Sequence, residues 1–415
     1  TVAPGLPPGR WSRQGEAVDL PDGSGRVPLA PRGWIDAEAS EPADTPGERG
    51  AAPSNASAQS LVAMLGDDRK LAQRARGQEA LEATAPSSAA PRSLVAMASA
   101  ERPKEVGRLE GELMDHLSAG ACSSECKEAV KQAHAKISDL LCRLSPKRGV
   151  VRIFGSFATG FATDNSDLDL VFCGDVLPNE VLPALAKALP AAGFVAVTQV
   201  FQTATPLVKA TDARSGLEVD ICINNQLGVR NSLLLDAYCH YDGRVVQLGR
   251  VVKDWAKRHE LVGSVDGCLN SYAYILLVIH YLQSLEPPVV PNLQSLSEQS
   301  NTVWDSKWGT RDRWETKFEA DVASLPSSQN TQPLGELLMG FFNYFGWSFN
   351  WRLHAVCIRL NRPRVVVDKF SLANPTNDEQ WYIEDPFDLK HNLAGKCSPE
   401  GRRRIIAGFR AALAA

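Results

Sequence analysis

A strand–turn–strand segment at residues 151–172 constrains the fold of this chain more than any other part of its sequence. It reads VRIFGSFATGFATDNSDLDLVF. An apolar run enters the pair Gly155-Ser156, a short helical segment follows, and a second apolar run carries Asp167 and Asp169. Successive side chains of a strand point to opposite faces, so the two aspartates share one face and the leucines after them share the other. The segment therefore predicts two strands of one sheet with a pair of carboxylates at its edge.

A third acid follows the same logic. In the segment LEVDIC, apolar residues alternate with acids, which places Asp220 on the polar face of a further strand. Carboxylates a few ångströms apart repel strongly unless a divalent cation lies between them. Three of them at one strand edge can hold two Mg²⁺ (or Mn²⁺) ions, and such a pair of ions supports in-line phosphoryl displacement. We therefore predict that Asp167, Asp169 and Asp220 are catalytic residues and metal ligands, and that the Gly-Ser pair beside them contacts phosphate.

These features resemble the DNA polymerase β-type nucleotidyltransferase superfamily, whose pattern is hG[GS], a short gap, Dh[DE]h and a later third acid. More narrowly, the chain resembles the terminal uridylyltransferases and the related cytoplasmic poly(A) and poly(U) polymerases. The similarity runs from about residue 113 to about residue 404.

The resemblance implies an α+β, bilobal fold. A mixed-sheet polymerase β-like nucleotidyltransferase domain, with the helices before it, would span 101–228. A mainly helical poly(A)-polymerase-associated domain would span 229–412. Residues 1–100 have no counterpart; they hold 11 of the 26 prolines and only two aromatic residues, too little large apolar surface to offset chain entropy. We predict that this low-complexity segment is disordered.

Apolar periodicity predicts the elements around these motifs. Leucines recur every four residues from Leu109 to Leu117, and a second stripe covers 130–144, so two helices precede the first strand. The aromatic-rich segment 334–359 predicts a helix followed by a strand in the core of the second domain. The polar segment 287–333 predicts a long surface loop.

The resemblance also implies nucleotide-binding residues after the third acid. Asn231 and Ser232 would contact the ribose and phosphate; the same two residues could instead, or as well, cap the Leu-rich helix that follows. Lys253 and Lys257 are four residues apart and project from one helix face, where two ammonium groups are unfavourable unless an anion bridges them. The resemblance assigns this pair to the triphosphate, and the alternative is two solvated lysines.

An apolar helix follows at 269–282. Ser271 lies at its start and could donate to phosphate. Tyr272 resembles the stacking tyrosine of the family, which would lay its ring on the base, and its alternative role is that of a core aromatic. We interpret Trp255, Tyr274 and His280 as core residues.

The segment WYIEDPFDLKHN at 381–392 resembles the EDPF loop of the family. Among relatives, a histidine three residues after the second acid is associated with uridine preference, and His391 occupies that place. Asp385 and Asp388 are its neighbours and candidate acceptors. His391 would bond the uracil edge and crowd out the larger adenine ring. It is the only residue in the sequence that argues for UTP over ATP.

Together, these interpretations predict a template-independent RNA uridylyltransferase that adds UMP from UTP to an RNA 3′-hydroxyl and releases pyrophosphate. Three alternatives stay open: a poly(A) polymerase that uses ATP, a catalytically inactive RNA-associated scaffold, and an enzyme that nucleotidylates small molecules. Because no RNA-binding module is recognisable, we expect a protein partner that targets the RNA. No apolar run approaches the ~20 residues of a membrane-spanning helix, so no membrane partner is predicted.

Charge and cysteine usage set further bounds. The net charge of -4 argues against a protein that coats nucleic acid by bulk charge, so RNA affinity must come from a few placed cations. Nine cysteines without a paired CxxC framework suit a reducing compartment. We expect a cytoplasmic protein, with mitochondria or another organelle left open. Cys122, Cys126 and His134 do not supply the four well-placed ligands of a structural zinc site.

Overall fold

The structure is a computed structural model of the 415-residue chain. The described residues are 102–145, 147–203, 205–263, 266–307, 310–360, 367–368, 372 and 379–413, with the backbone of two short segments near the N-terminus. Those two segments, β1 (Val18–Asp19) and β2 (Arg26–Val27), pair antiparallel. The predicted disorder of residues 1–100 otherwise lies outside the described residues and stays a prediction.

Two helices precede the sheet, as the leucine spacing predicts. The first is α1 (Arg102–Ala119) and the second is α2 (Ser124–Leu144). The side chain of Ser123 caps α2 by accepting a hydrogen bond from the backbone N–H of Cys126. The predicted apolar stripe of α2 is buried, so this helix packs its one apolar face on the sheet.

A five-stranded mixed sheet follows α2. Its order is β3-β4-β7-β6-β5; β4 and β7 run parallel, and the other neighbours are antiparallel. Helices α2 and α4 share one apolar core with the sheet, and the start of α5 packs on a smaller cluster at Val171 and Cys222. The elements of this half after α2 are β3 (Gly149–Phe154), α3 (Ser156–Thr159), β4 (Leu168–Gly174), α4 (Pro178–Ala188), β5 (Phe194–Val200), β6 (Leu207–Asp212) and β7 (Glu218–Ile223).

The second half is mainly helical and is built around α7, whose residues 273–282 are all buried. Such a helix, apolar on every side, belongs in the middle of a core. None of the helices within the described residues is long and apolar enough to cross a bilayer. The helices of this half are α5 (Gln226–Tyr241), α6 (Arg244–Arg258), α7 (Ser271–Ser284), α8 (Leu293–Leu296), α9 (Leu334–Asn343) and α10 (Pro399–Ala411).

Helix α1 joins the helical half although it precedes the sheet in sequence. Its buried leucines, Leu109, Leu113 and Leu117, belong to the same apolar core as α6, α7 and α9. Residues of α2, the very next helix, belong to the core of the sheet. The domain boundaries at 101–228 and 229–412 stay a prediction, and α1 lies on the helical side of that division in space.

One local prediction is wrong. Segment 287–333 is not a plain loop, because it contains α8 and an antiparallel hairpin of β8 (Thr302–Lys307) and β9 (Thr310–Glu315). The hairpin is rich in charged residues, so its weak alternation of apolar and polar side chains is hard to recognise in the sequence. Val303 is nevertheless buried. After α9, the chain makes a π-helical turn and then enters a strand, as the sequence predicts. This strand is the two-residue β10 (His354–Ala355), which pairs with β11 (Val367–Asp368).

Candidate active site

Strand register brings the predicted acids together. In the parallel pair β4–β7, Asp169 lies directly opposite Asp220, so both carboxylates leave the same face of adjacent strands. Asp167 is exposed and comes one residue before β4 begins. Burial, followed by the charges of Asp220 and Asp167, raises the pKa of Asp169 to about 7. The three aspartates therefore form one electrostatically coupled group, which we call the aspartate cluster.

Gly155 fits against this cluster as no other residue would. Its φ is +68°, in the left-handed region, and a Cβ there would collide with the Oδ2 atom of Asp169. The backbone N–H of Gly155 donates to the hydroxyl of Ser232 at 2.8 Å, and this hydroxyl donates to the carbonyl of Gly228 at 2.9 Å. The turn that starts α3, with Ser156 as its first residue, is thereby fixed to α5.

Lys209 is a site residue that the sequence analysis missed. It lies opposite Asp220 in the antiparallel pair β6–β7, and its Nζ donates to the Oδ2 atom of Asp220. Burial disfavours its charge, but the hydrogen bond to Asp220 and the charges of the aspartate cluster outweigh burial and raise the pKa of Lys209. The ammonium thus neutralises part of the cluster. The only signal in the sequence is its place in an alternating strand, which does not reveal its neighbour.

Lys253 and Lys257 lie on α6 beside the cluster but differ in burial. Lys253 is buried and donates from Nζ to the carbonyl of Phe161 at 3.2 Å, whereas Lys257 is exposed. Burial, followed by the charge of Lys257, lowers the pKa of Lys253 to about 8, against the opposing charges of Asp169 and Asp167. The two like charges repel each other, and an anion bound beside them would relieve that repulsion.

Asn231 and Tyr272 bring unpaired polar atoms into the other side of the site. The Nδ2 group of Asn231 donates to Asp385 at 3.2 Å. Its Oδ1 atom and the hydroxyl of Tyr272 are buried and have no hydrogen-bond partner within the described residues. Buried polar groups are normally paired, so these two atoms are candidates for a hydrogen bond to a ligand.

The capping role considered for Asn231 and Ser232 is wrong. Helix α5 begins five residues earlier, at Gln226, and its cap is Asn225, whose side chain accepts from the N–H of Gly228 at 3.0 Å. Both predicted residues therefore lie inside the helix. This position turns Ser232 to the Gly155 turn and Asn231 to the EDPF segment.

The EDPF segment is fixed by buried hydrogen bonds. The Oδ1 atom of Asp385 accepts from the N–H groups of Phe387 and Asp388 at 3.0 and 2.9 Å. Burial raises the pKa of Asp385. The His391 backbone N–H donates to the carbonyl of Asp388 at 2.8 Å, and the imidazole is exposed. Asp385 therefore connects the residue that we expect at the ribose, Asn231, to the turn that carries His391.

The first residue of the EDPF motif, Glu384, takes part in an ion pair that the sequence analysis missed. Glu384 is buried and accepts from the Nε and Nη2 groups of Arg359 at 2.7 and 3.0 Å. The thiol of Cys357 donates to the same carboxylate at 2.9 Å. A buried carboxylate needs this kind of pairing, so the ion pair stabilises the base of the EDPF segment. No local sequence pattern joins residues 25 positions apart.

The remaining predicted residues lie as follows. Ser271 is the first residue of α7, after the cap Asn270, and Asp388 is partly buried in the EDPF turn. Trp255, Tyr274 and His280 are buried, which confirms their interpretation as core residues. Burial lowers the pKa of His280 to about 4, so it is a neutral core residue.

Comparison with family models identifies two regions. Residues 109–240 match the model described as "Poly(A) RNA polymerase, mitochondrial-like, central palm domain". Residues 333–391 match "Cid1 family poly A polymerase".

The curated relatives include both terminal uridylyltransferases and poly(A) RNA polymerases. Terminal uridylyltransferase cid1 of Schizosaccharomyces pombe is 33% identical over 316 residues, which cover 68% of this chain and 73% of the relative. Human terminal uridylyltransferase 4 is 33% identical over 62% of this chain, but the matched part is only 16% of that protein. Poly(A) RNA polymerase GLD2-A of Xenopus laevis is 31% identical over 60% of this chain and 50% of its own length.

Solved structures agree in fold. A crystal structure of the Cid1 poly(U) polymerase with Mg and 3′-dATP bound superposes with a TM-score of 0.65 at 31% identity, over 74% of this chain and 93% of that chain. A structure described as that of a cytoplasmic RNA terminal U-transferase gives a TM-score of 0.63 at 31% identity, over 74% and 92%. The predicted α+β fold, with a mixed polymerase β-like sheet and a helical second half, is confirmed. The chain belongs to the Cid1 family of RNA nucleotidyltransferases, the terminal uridylyltransferase and poly(A)/poly(U) polymerase branch of the DNA polymerase β-type superfamily.

Proposed function

We propose that this enzyme is an RNA uridylyltransferase that adds UMP from UTP to an RNA 3′-hydroxyl and releases pyrophosphate. The observation that carries the choice of UTP is His391, which lies on the turn that Asp385 connects to Asn231. The names of relatives support RNA nucleotidyl transfer in general: cid1 is named a uridylyltransferase and GLD2-A a poly(A) polymerase.

The donors of the aspartate cluster fit two Mg²⁺ or Mn²⁺ ions. All three side chains offer carboxylate oxygen, which hard divalent cations prefer, and Asp169 is crowded by the other two acids. Asp167, Asp169 and Asp220 would hold the ions, and one solved relative was crystallised with Mg and a nucleotide. When bound, such ions lower the pKa of the attacking hydroxyl and stabilise the charge that develops on the transferred phosphate.

Each side of the site would bind one part of the nucleotide. Lys253, Lys257 and Ser271 would contact the triphosphate, together with the Gly155-Ser156 turn. The free Oδ1 atom of Asn231 can accept a hydrogen bond from a ribose 2′-hydroxyl, which would select ribonucleotides. Tyr272 would stack on the base, and stacking contributes about 1–3 kcal/mol without discriminating between bases.

Base selection then depends on His391. Its exposed imidazole can bond the uracil edge, with Asp388 and Asp385 holding its turn. A pyrimidine leaves room for this side chain, whereas the larger purine ring would overlap it. A cytoplasmic location and a separate protein that delivers the RNA stay predictions of this proposal.

A four-nucleotide comparison tests the proposal. Purified full-length protein with Mg²⁺ and a short labelled RNA should extend the RNA with UTP, and Asp169→Ala should abolish extension. His391→Asn should raise the ratio of ATP to UTP use about tenfold, while the same change at exposed His240 should leave the ratio unchanged. Robust extension by ATP alone in the unmodified enzyme would overturn the choice of UTP. A ratio unaffected by His391→Asn would remove His391 from base selection.

A further inference from the structure

A second cluster of metal-ligating side chains lies outside the nucleotide site, at the start of α2. Cys122 precedes the cap of this helix, Cys126 lies in its first turn, and Asp164 comes from the loop between α3 and β4. One ligand atom from each of the three lies within 4.8 Å of the others. We call these three residues the thiol cluster. It combines parts of the chain about 40 residues apart, so it is not a by-product of local sequence.

Ser123 holds the thiol cluster in place. Its backbone N–H donates to the Oδ1 atom of Asp164 at 2.8 Å, and its hydroxyl accepts from the backbone N–H of Cys126 at 3.1 Å. One residue therefore fixes the carboxylate on one side and one of the cysteines on the other. The second carboxylate oxygen of Asp164 is not used in that bond and can serve as a ligand.

The Cys126 thiol is protonated when no cation is bound. Burial, followed by a hydrogen bond to Cys122 and by the charges of Cys122 and Asp164, raises the pKa of the Cys126 thiol to about 12. A cation that binds to the Cys126 sulfur must therefore displace this proton into solvent, so its affinity should rise with pH.

The ligand chemistry separates this cluster from the aspartate cluster. Thiolate sulfur is a soft ligand that selects Zn²⁺ over Mg²⁺, whereas three carboxylates select Mg²⁺ or Mn²⁺. Zinc binds Cys and Asp in tetrahedral geometry, and three protein ligands leave a fourth position for water. His134, the third residue that the sequence offered for zinc, does not take part: its Nε2 atom lies 3.2 Å from the carbonyl of Val151.

We propose that Cys122, Cys126 and Asp164 bind a thiophilic divalent cation of the Zn²⁺ type, and that this cation clamps the α3–β4 loop to the start of α2. The loop leads directly to the aspartate cluster, because Asp164 precedes Asp167 by three residues. The bound cation would therefore restrict the backbone position of Asp167, the first residue of the aspartate cluster. The site needs no nucleotide, so it can be tested apart from the proposed function.

Co²⁺ titration of the full-length protein, reduced and free of nucleotide, tests the site. A Co²⁺ ion bound by thiolates gives a sulfur-to-metal charge-transfer band that carboxylate-bound Co²⁺ lacks. We expect one Co²⁺ per chain with this band. Cys122→Ser and Cys126→Ser should each weaken binding at least about 100-fold, and Asp164→Asn, which keeps both thiols, about tenfold. Cys142→Ser, at an exposed cysteine of the same helix, is the matched control and should bind as the parent does.

An affinity for Co²⁺ in Cys126→Ser equal to that of the parent, or absence of the band from the parent protein, would overturn the site. Amide hydrogen exchange tests the clamp. Zn²⁺ should slow exchange in residues 160–167 of the parent and of Cys142→Ser, and should have no such effect in Cys126→Ser. Equal slowing in Cys126→Ser would show that Zn²⁺ acts elsewhere, for example at the aspartate cluster, and would overturn the clamp.

Discussion

The side of the site that holds the acids and the side that would read the base are built in different ways. Asp169 and Asp220 are paired in register on adjacent strands, so the backbone ladder fixes their separation. His391 lies on an exposed turn, which is stabilised by hydrogen bonds to Asp385 and by the ion pair of Arg359 with Glu384. Position on a ladder leaves a side chain little freedom, whereas position on a turn depends on a few contacts. We therefore expect substitutions at the aspartates to abolish nucleotidyl transfer, and substitutions around His391 to change the preferred base.

The largest expected effect comes from removing an acid on the ladder. Asp220→Ala removes one proposed metal ligand and the partner of Lys209, and we expect nucleotidyl transfer to fall on the order of 10³-fold or more. Single-turnover extension of a labelled RNA measures the loss. Glu218→Ala, two residues earlier on the same strand and exposed, is the control and should keep activity. Equal losses in both variants would mean that the strand, and not the carboxylate, is responsible.

Gly155→Ala should come next, because its Cβ would push into Asp169. We expect about a 100-fold loss of transfer in a protein that still folds. Gly216→Ala provides a matched control: its φ of +75° imposes similar backbone strain, but a Cβ there meets no atom within 4 Å. If both variants lose activity equally, strain rather than contact with Asp169 is the cause.

Breaking the support of the EDPF segment should affect binding more than chemistry. Arg359→Met removes the charged partner of the buried Glu384, leaving it only the Cys357 thiol, and should lower the free energy of unfolding by about 3 kcal/mol. We also expect KM for UTP to rise about tenfold, with a smaller change in kcat. Arg403→Met removes an exposed ion pair with Glu400 and should change neither quantity. A fall in kcat with KM unchanged would contradict the proposed separation of the two sides.

The smallest effect concerns pH. The pKa of Lys253 is about 8, lowered first by burial, so its ammonium is present below that pH and is lost as the pH rises through it. KM for UTP should therefore rise a few-fold on going from neutral to alkaline buffer. Lys253→Arg should flatten this dependence, because a guanidinium stays protonated. An identical pH profile in both proteins would remove Lys253 from triphosphate binding.

Strand alternation is enough to find the three aspartates, because the periodicity of a strand is local information. Lys209 cannot be identified in this way, because its pairing with Asp220 depends on the order of the strands in the sheet. The ion pair of Arg359 and Glu384 is hidden in the same way.

Both Asn225 and Asn231 are suitable N-cap residues for α5. The sequence alone does not show that Asn225 is the cap and that Asn231 lies in the helix interior. Asp164 is hidden for a further reason. A zinc motif is usually sought in local spacing, as with Cys122, Cys126 and His134, whereas the loop brings its acid to the cysteines only in the folded chain. Local patterns thus predict the elements and the acids, and the contacts between distant segments need the structure.

Consecutive helices α1 and α2 are buried in opposite halves of the molecule. The chain therefore crosses between the halves at residues 120–123, and it crosses back at the start of α5. Within the described residues, any rotation of one half of the molecule relative to the other must therefore take place at these two connections. Ser123, which caps α2, lies in the first of them.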